Sequence, residues 1–253
     1  MSTDNLANLI CGDYRQHSYI ESIYEVIFHN ISIMERKLVN ITDEDITILG
    51  PYYARSLLES VCTALVGRLD PFRLIYLQKV QSLDSFSIGK KAKSAISWFG
   101  DIFQPGENIN NIWNSEKDFS KVGRGLFGDP YGEIFWNPAY KNLIDDSDFA
   151  DHHSLNYYLT AIDGPEKFTK YIRQEASKLY SSLSKGVHSE LIIEPEIIYD
   201  KTTVGELIVN VIKLSSIIGI VSHRIDCATC RLPFDNAFQY YENLYEWSEN
   251  YDV

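Results

Sequence analysis

The chain has 253 residues, and 35 Asp and Glu against 23 Lys and Arg give it a formal charge of −12. A chain this acidic repels phosphate backbones and anionic lipid as a whole, which excludes bulk polyanion binding and leaves room only for a local basic face. With 45% apolar and 13% aromatic residues it can bury a large core, so it is not a disordered tail.

The opening residues, MSTDNLANLICGDYRQH, lack a basic stretch followed by an apolar run, so a cytoplasmic location is expected. From Ser18 the apolar positions Ile20, Ile23, Tyr24, Ile27, Ile31, Met34 and Leu38 recur every three or four residues, which predicts one amphipathic helix ending near Asn40. Thr42, with Asp45 three residues on, predicts a cap for the next helix; Pro51 kinks or restarts it before residues 52–69. Asp70 followed by Pro71 is an N-cap and first-turn pair opening a helix to about Leu83, and a shorter helix is predicted over residues 90–99.

Between residues 100 and 151 the periodicity fades and Gly, Pro and Asn gather in QPGENINN, GRGLFGDPYGE and FWNPAY, which predicts a mostly irregular insertion. Its Trp113, Phe119, Phe127, Phe135, Trp136 and Tyr140 are too many aromatics for a free spacer, so it should pack back onto the helices. Helix returns at Gly164 and Pro165, with Phe168, Ile172, Ala176, Leu179, Leu183 and Val187 at helical spacing to about Glu190. Thr203 and Glu206 form a capping-box pattern ahead of an apolar helix over residues 207–225. Its apolar core, residues 207–221, is interrupted by Asn210, Lys213, Ser215 and Ser216 and falls short of the roughly 20 residues a spanning helix needs, so it reads as buried, with no membrane role. A Tyr- and Glu-rich helix over residues 236–249 closes the chain. The expected fold is all-α: a single helical domain over residues 1–253, a multi-helix bundle with the aromatic-rich insertion of residues 100–151 packed on it.

Arg55 and Glu59 are four apart on one helix, beside Cys62 and Val66 at the next turn. They are either a surface ion pair or, since their neighbours are apolar, a groove-facing pair in which Glu59 fixes the guanidinium. His188, in YSSLSKGVHSEL, follows the stripe residue Val187 and shares an edge with Ser181 and Ser184. It is suited to proton transfer near neutral pH, or equally to bonding the backbone at a helix end.

RSLLESVCTALVGRL followed at long range by YSSLSKGVHSEL resembles the paired helices of HEPN-like proteins, the higher eukaryote and prokaryote nucleotide-binding clan of small helical bundles. The resemblance spans residues 18–83 and 164–225. It implies a role in a prokaryotic defence or toxin–antitoxin type system, through a protein partner or self-association as a homodimer. Family ribonucleases carry Arg and His on one segment. Here Arg15 and His17 are too close and Arg173 is too far from His188, so the resemblance implies that Arg55 and His188, with Glu59 and Ser184, meet across two helices or across a dimer. In that case His188 would move the proton and Arg55 would stabilise the phosphorane charge of a metal-independent ribonuclease.

His223, Cys227 and Cys230 offer three soft ligands, and Cys11 or an insertion histidine a fourth, so a structural zinc ion is one reading; small residues packing at a helix end is the other. No other cofactor is expected. Asp145, Asp146, Asp148, Asp151, His152 and His153 either hold Mg²⁺ or Mn²⁺ or form a solvated acidic loop.

The charge is unevenly spread: residues 51–95 hold 7 basic and 3 acidic side chains, residues 167–190 hold 5 and 2, and residues 126–166 hold 1 and 8. The two basic stretches carry the Arg55 and His188 segments, so RNA remains possible through a local basic groove between them. The acidic stretch is expected either to leave that groove open or to shield it by mimicking phosphate.

Overall fold

The computed structural model describes residues 4–87, 95–104, 125–145, 154, 162–187 and 199–251. Eight helices of a turn and a half or more follow in chain order: α1 (Asn5–Cys11), α2 (Glu21–Val39), α3 (Ile46–Leu69), α4 (Pro71–Gln81), α5 (Asn137–Ile144), α6 (Phe168–Val187), α7 (Lys201–Ser222) and α8 (Phe234–Glu249). Among the described residues there is no strand, so the fold is an all-α multi-helix bundle.

Helices that are apolar over most of their surface must be largely surrounded, and two here are. On α3, Leu57, Leu58, Val61, Cys62, Ala64 and Leu65 are all buried; on α7, so are Val204, Ile208, Val211, Ile212, Ile218 and Val221. The two pack on each other, α2 and α6 flank α3, and α1, α6 and α8 cover α7. At 22 residues α7 is long and apolar enough to cross a bilayer, so the length expected from sequence does not separate the two cases; its apolar surface is mostly buried in the bundle.

Helix α1 has no counterpart in the sequence reading. Its N-cap, Asp4, gives it no side-chain bond. Glu35 of α2 supplies the missing acceptor, taking the Leu6 and Ala7 N–H groups at 3.1 and 3.4 Å. Burial pushes this carboxyl up to about 7, against the pull of those backbone N–H groups. The other side of α1 meets α7 at Gly219, where an added Cβ would stand 2.9 Å from Leu9 Cγ and 3.0 Å from Ile10 Cδ1.

Several ends differ from expectation. Helix α3 runs unbroken through Pro51; Thr42 Oγ1 bonds Asp45 Oδ2 at 3.1 Å, so the two side chains hold each other instead of capping the helix. Asp70 does cap α4, accepting from the Arg73 N–H at 3.3 Å. Asp200, three residues before Thr203, caps α7 by accepting the Thr203 N–H at 2.7 Å, so Thr203 is inside the first turn.

Within residues 100–151 the described chain is largely helical. A π-helical turn covers Trp98–Ile102, where the end of the helix predicted over residues 90–99 falls, and the turns Asp129–Tyr131 and Gly132–Trp136 lead into α5. Residues 88–94, Trp113 and Phe119 lie outside the described residues. Phe127, Trp136 and Tyr140 are buried in the bundle core, with Trp136 Nε1 donating to the Leu126 carbonyl at 2.7 Å and Tyr140 stacked on Phe168. The described part of the insertion therefore packs on the bundle through these aromatics.

Candidate functional site

Arg55 lies on the flank of α3 that faces α6. Its Nε donates to Glu59 Oε1 at 3.2 Å, and its Nη2 donates to the Tyr180 hydroxyl at 2.7 Å. The guanidinium carbon stands 4.5 Å from the Tyr180 ring centre, a cation–π distance. Tyr180 in turn stacks on Trp98, with centroids 4.1 Å apart and planes within 15°. Its hydroxyl is held above the ordinary phenol value, first by burial and then by the Glu59 charge, with Arg55 pulling the other way. Both ion-pair side chains are partly solvated, at 24% and 44% exposure, so the pair is a rim feature rather than a buried one.

The two segments that carry the family resemblance therefore do meet, antiparallel. Arg55 reaches Tyr180, and near the other end an added Cβ at Gly186 would stand 2.8 Å from the Pro51 ring. Ser184 spends its hydroxyl proton on the Tyr180 carbonyl at 2.7 Å. His188 lies outside the described residues, one position beyond the end of α6. Tyr180 escaped the sequence reading because its partner is 125 positions away. The visible signal was its place in the same YSSLSKGVHSEL segment.

Most of the basic side chains described in the two basic stretches already have carboxylate partners. Arg73 pairs with Asp70 and Asp101, Lys167 with Asp163, Lys178 with Glu175, and Arg173 with Asp129 at 2.7 Å. The last pair joins the acidic insertion to the basic helix α6.

A second cluster, at the far end of α3, is wholly buried. Arg68 donates from Nε to the Thr229 carbonyl at 3.1 Å and from Nη1 to Ser222 Oγ at 2.6 Å. Burial pulls the guanidinium down to about 10, which still leaves it charged at neutral pH. It stands where α1, α3 and α7 end, and the partial negative charge of helix C-termini offsets its desolvation.

The expected zinc ligands are divided around this cluster. Both nitrogens of His223 are engaged with backbone: Nδ1 accepts the Leu232 N–H at 3.0 Å and Nε2 donates to the Leu9 carbonyl at 2.8 Å. That pattern fixes one neutral tautomer and leaves no lone pair for a metal. Burial first, then the Arg68 charge, holds His223 well below its ordinary value. Cys227 is exposed while Cys230 and Cys11 are buried, all as free thiols. Among the described residues no three His, Cys, Asp or Glu side chains gather as a metal group. Of the acidic cluster, Asp145 is exposed at the end of α5, and Asp146, Asp148, Asp151, His152 and His153 lie outside the described residues.

Comparison of the chain with protein-family models, with curated proteins and with solved structures finds no match.

Proposed function

We propose that the chain is a binding or regulatory protein of the cytoplasm that engages a protein partner or a second copy of itself through the edge formed by α3 and α6. The observation that supports this is the state of Arg55: Glu59 and Tyr180 both hold its guanidinium, so an incoming phosphate would meet a cation already paired with a carboxylate. The setting in prokaryotic defence or a toxin–antitoxin type system rests on the HEPN-like resemblance alone.

A ribonuclease using Arg55 and His188 is the second reading, favoured by the contact of the two segments that carry those residues. Expression of wild type, Arg55→Ala and His188→Ala separates the two, with growth and total RNA integrity as readouts. The binding reading expects intact RNA and equal growth in all three. RNA loss in wild type that both variants abolish would overturn it in favour of the nuclease.

A further inference from the structure

Beside the Arg55 edge, a groove with a cavity of about 520 Å³ opens between α2, α3, α4 and the 95–102 turn, with Tyr180 of α6 at its border. Its inner surface is aliphatic: Ile27, Leu74 and Ile102 are buried there, and Ile23, Leu77 and Ile96 are partly buried. Trp98, stacked on Tyr180, provides an aromatic wall. Polar side chains come from Ser22, Glu59, Thr63, Gln78, Gln81 and Tyr180. Glu59 and Thr63 come from α3, and Ser22 accepts a hydrogen bond from Gln78 at 3.2 Å, which ties α2 to α4. The size and the mostly apolar lining with a few placed polar groups are those of a small-molecule site rather than of a packing defect.

The charges lining the groove narrow the ligand. Among the described residues no Lys or Arg lines it, and the carboxylate they do supply, Glu59, is balanced by Arg55 from outside. An anion entering would lose its hydration with no cation among these described residues to meet it. A neutral molecule bearing one N–H or O–H would find an acceptor for it in Glu59.

We infer that this groove binds a neutral, predominantly apolar small molecule with an aromatic part and a single hydrogen-bond donor directed at Glu59. The inference stands whether the chain binds a partner or cleaves RNA, since Arg55, which both of those readings use, is not among the described lining residues.

The test is fluorescence titration of the full chain with N-phenyl-1-naphthylamine, a neutral bicyclic aromatic with one N–H. Its sulfonated relative 1-anilinonaphthalene-8-sulfonate shares the skeleton and adds a negative charge. The neutral probe should saturate at one per chain and the sulfonate should bind about tenfold or more weakly. Leu77→Trp, which fills the groove, should abolish the signal. Val26→Trp places the same bulk on the exposed rim residue Val26, 62% accessible, and decides the matter if Leu77→Trp does not fold. Glu59→Leu should weaken the neutral probe several-fold. The inference is overturned by absence of saturable binding, by equal affinity for the sulfonate, or by a signal that survives the tryptophan substitution. It is also overturned if the chain elutes as a dimer that Val26→Trp splits while the probe never binds, because the groove then belongs to a second copy.

Discussion

The guanidinium of Arg68 stands against the His223 imidazole, with Nη2 3.1 Å from Nδ1 and Nη1 3.4 Å from Nε2. Nδ1 also accepts the Leu232 N–H and Nε2 also donates to the Leu9 carbonyl, so Arg68 approaches ring nitrogens that the backbone already engages. Through these two side chains the ends of α1, α3 and α7 and the 223–232 loop are joined at one buried point.

Removing the cation should therefore cost far more than removing the one at the rim. Arg68→Ala leaves the Thr229 carbonyl and the Ser222 hydroxyl without their donors and opens a void, and a loss of about 3–5 kcal/mol is expected. Arg55→Ala, at a partly solvated pair, should cost about 1 kcal/mol or less. Urea unfolding of the two variants checks the order; equal losses would mean that the buried cluster does not organise the helix ends.

Two buried groups should give stability opposing dependences on pH. Glu35 is raised from 4.5 to about 7 in the folded chain, so between those values the native state holds the extra proton and stability falls as pH rises. His223 is depressed below 6.5, so below that value the unfolded chain holds the extra proton and stability falls as pH drops. Each slope reaches about 1.4 kcal/mol per pH unit at most. Over pH 5 to 6.5 the wild type should change little. Glu35→Gln should gain stability with rising pH over that window, and His223→Phe should lose it. Unfolding midpoints measured across the window decide this, and three parallel profiles would refute it.

The α2, α3, α4, α6, α7 and α8 helices are legible because each is long enough for its apolar pattern to show, with sequence-local punctuation such as Asp70–Pro71 ahead of α4. Helix α1 is not, since Leu6, Ala7, Leu9, Ile10 and Cys11 are all buried and seven residues show no polar face. Its acceptor, Glu35, belongs to another helix 29 positions away from Leu6. The candidate site divides in the same way. Arg55 with Glu59 is a spacing of four that a sequence displays, whereas the Arg55–Tyr180 and Arg68–His223 contacts depend on residues more than a hundred positions apart. For His223 the pattern with Cys227 and Cys230 suggested zinc because spacing shows which atoms are near in sequence, not which lone pairs are already used.

That difference predicts the outcome of a metal measurement. Protein purified under reducing conditions should carry well under one zinc per chain, and a chelator should leave its unfolding temperature unchanged, because Nδ1 of His223 accepts the Leu232 N–H. One equivalent of tightly held zinc would require that bond to break and would show as a destabilised apo form.

The docking of α1 on α7 can be probed at Gly219 without touching any polar group. An added methyl there would sit 2.9 Å from Leu9 Cγ and 3.0 Å from Ile10 Cδ1, both on a buried helix whose side chains have little room to yield. Gly219→Ala should therefore cost about 1–3 kcal/mol by overpacking, despite the better helix propensity of alanine. Gly100→Ala is the matched control: its nearest neighbour is Ser97 Oγ at 3.5 Å, an ordinary contact, so its effect should stay within about 0.5 kcal/mol. Hydrogen exchange locates the damage. In Gly219→Ala the amides of α1, including those of Leu6 and Ala7 held by Glu35, should exchange faster while those of α4 do not. Uniform acceleration across the chain would show instead that α1 and the central helices unfold as one unit.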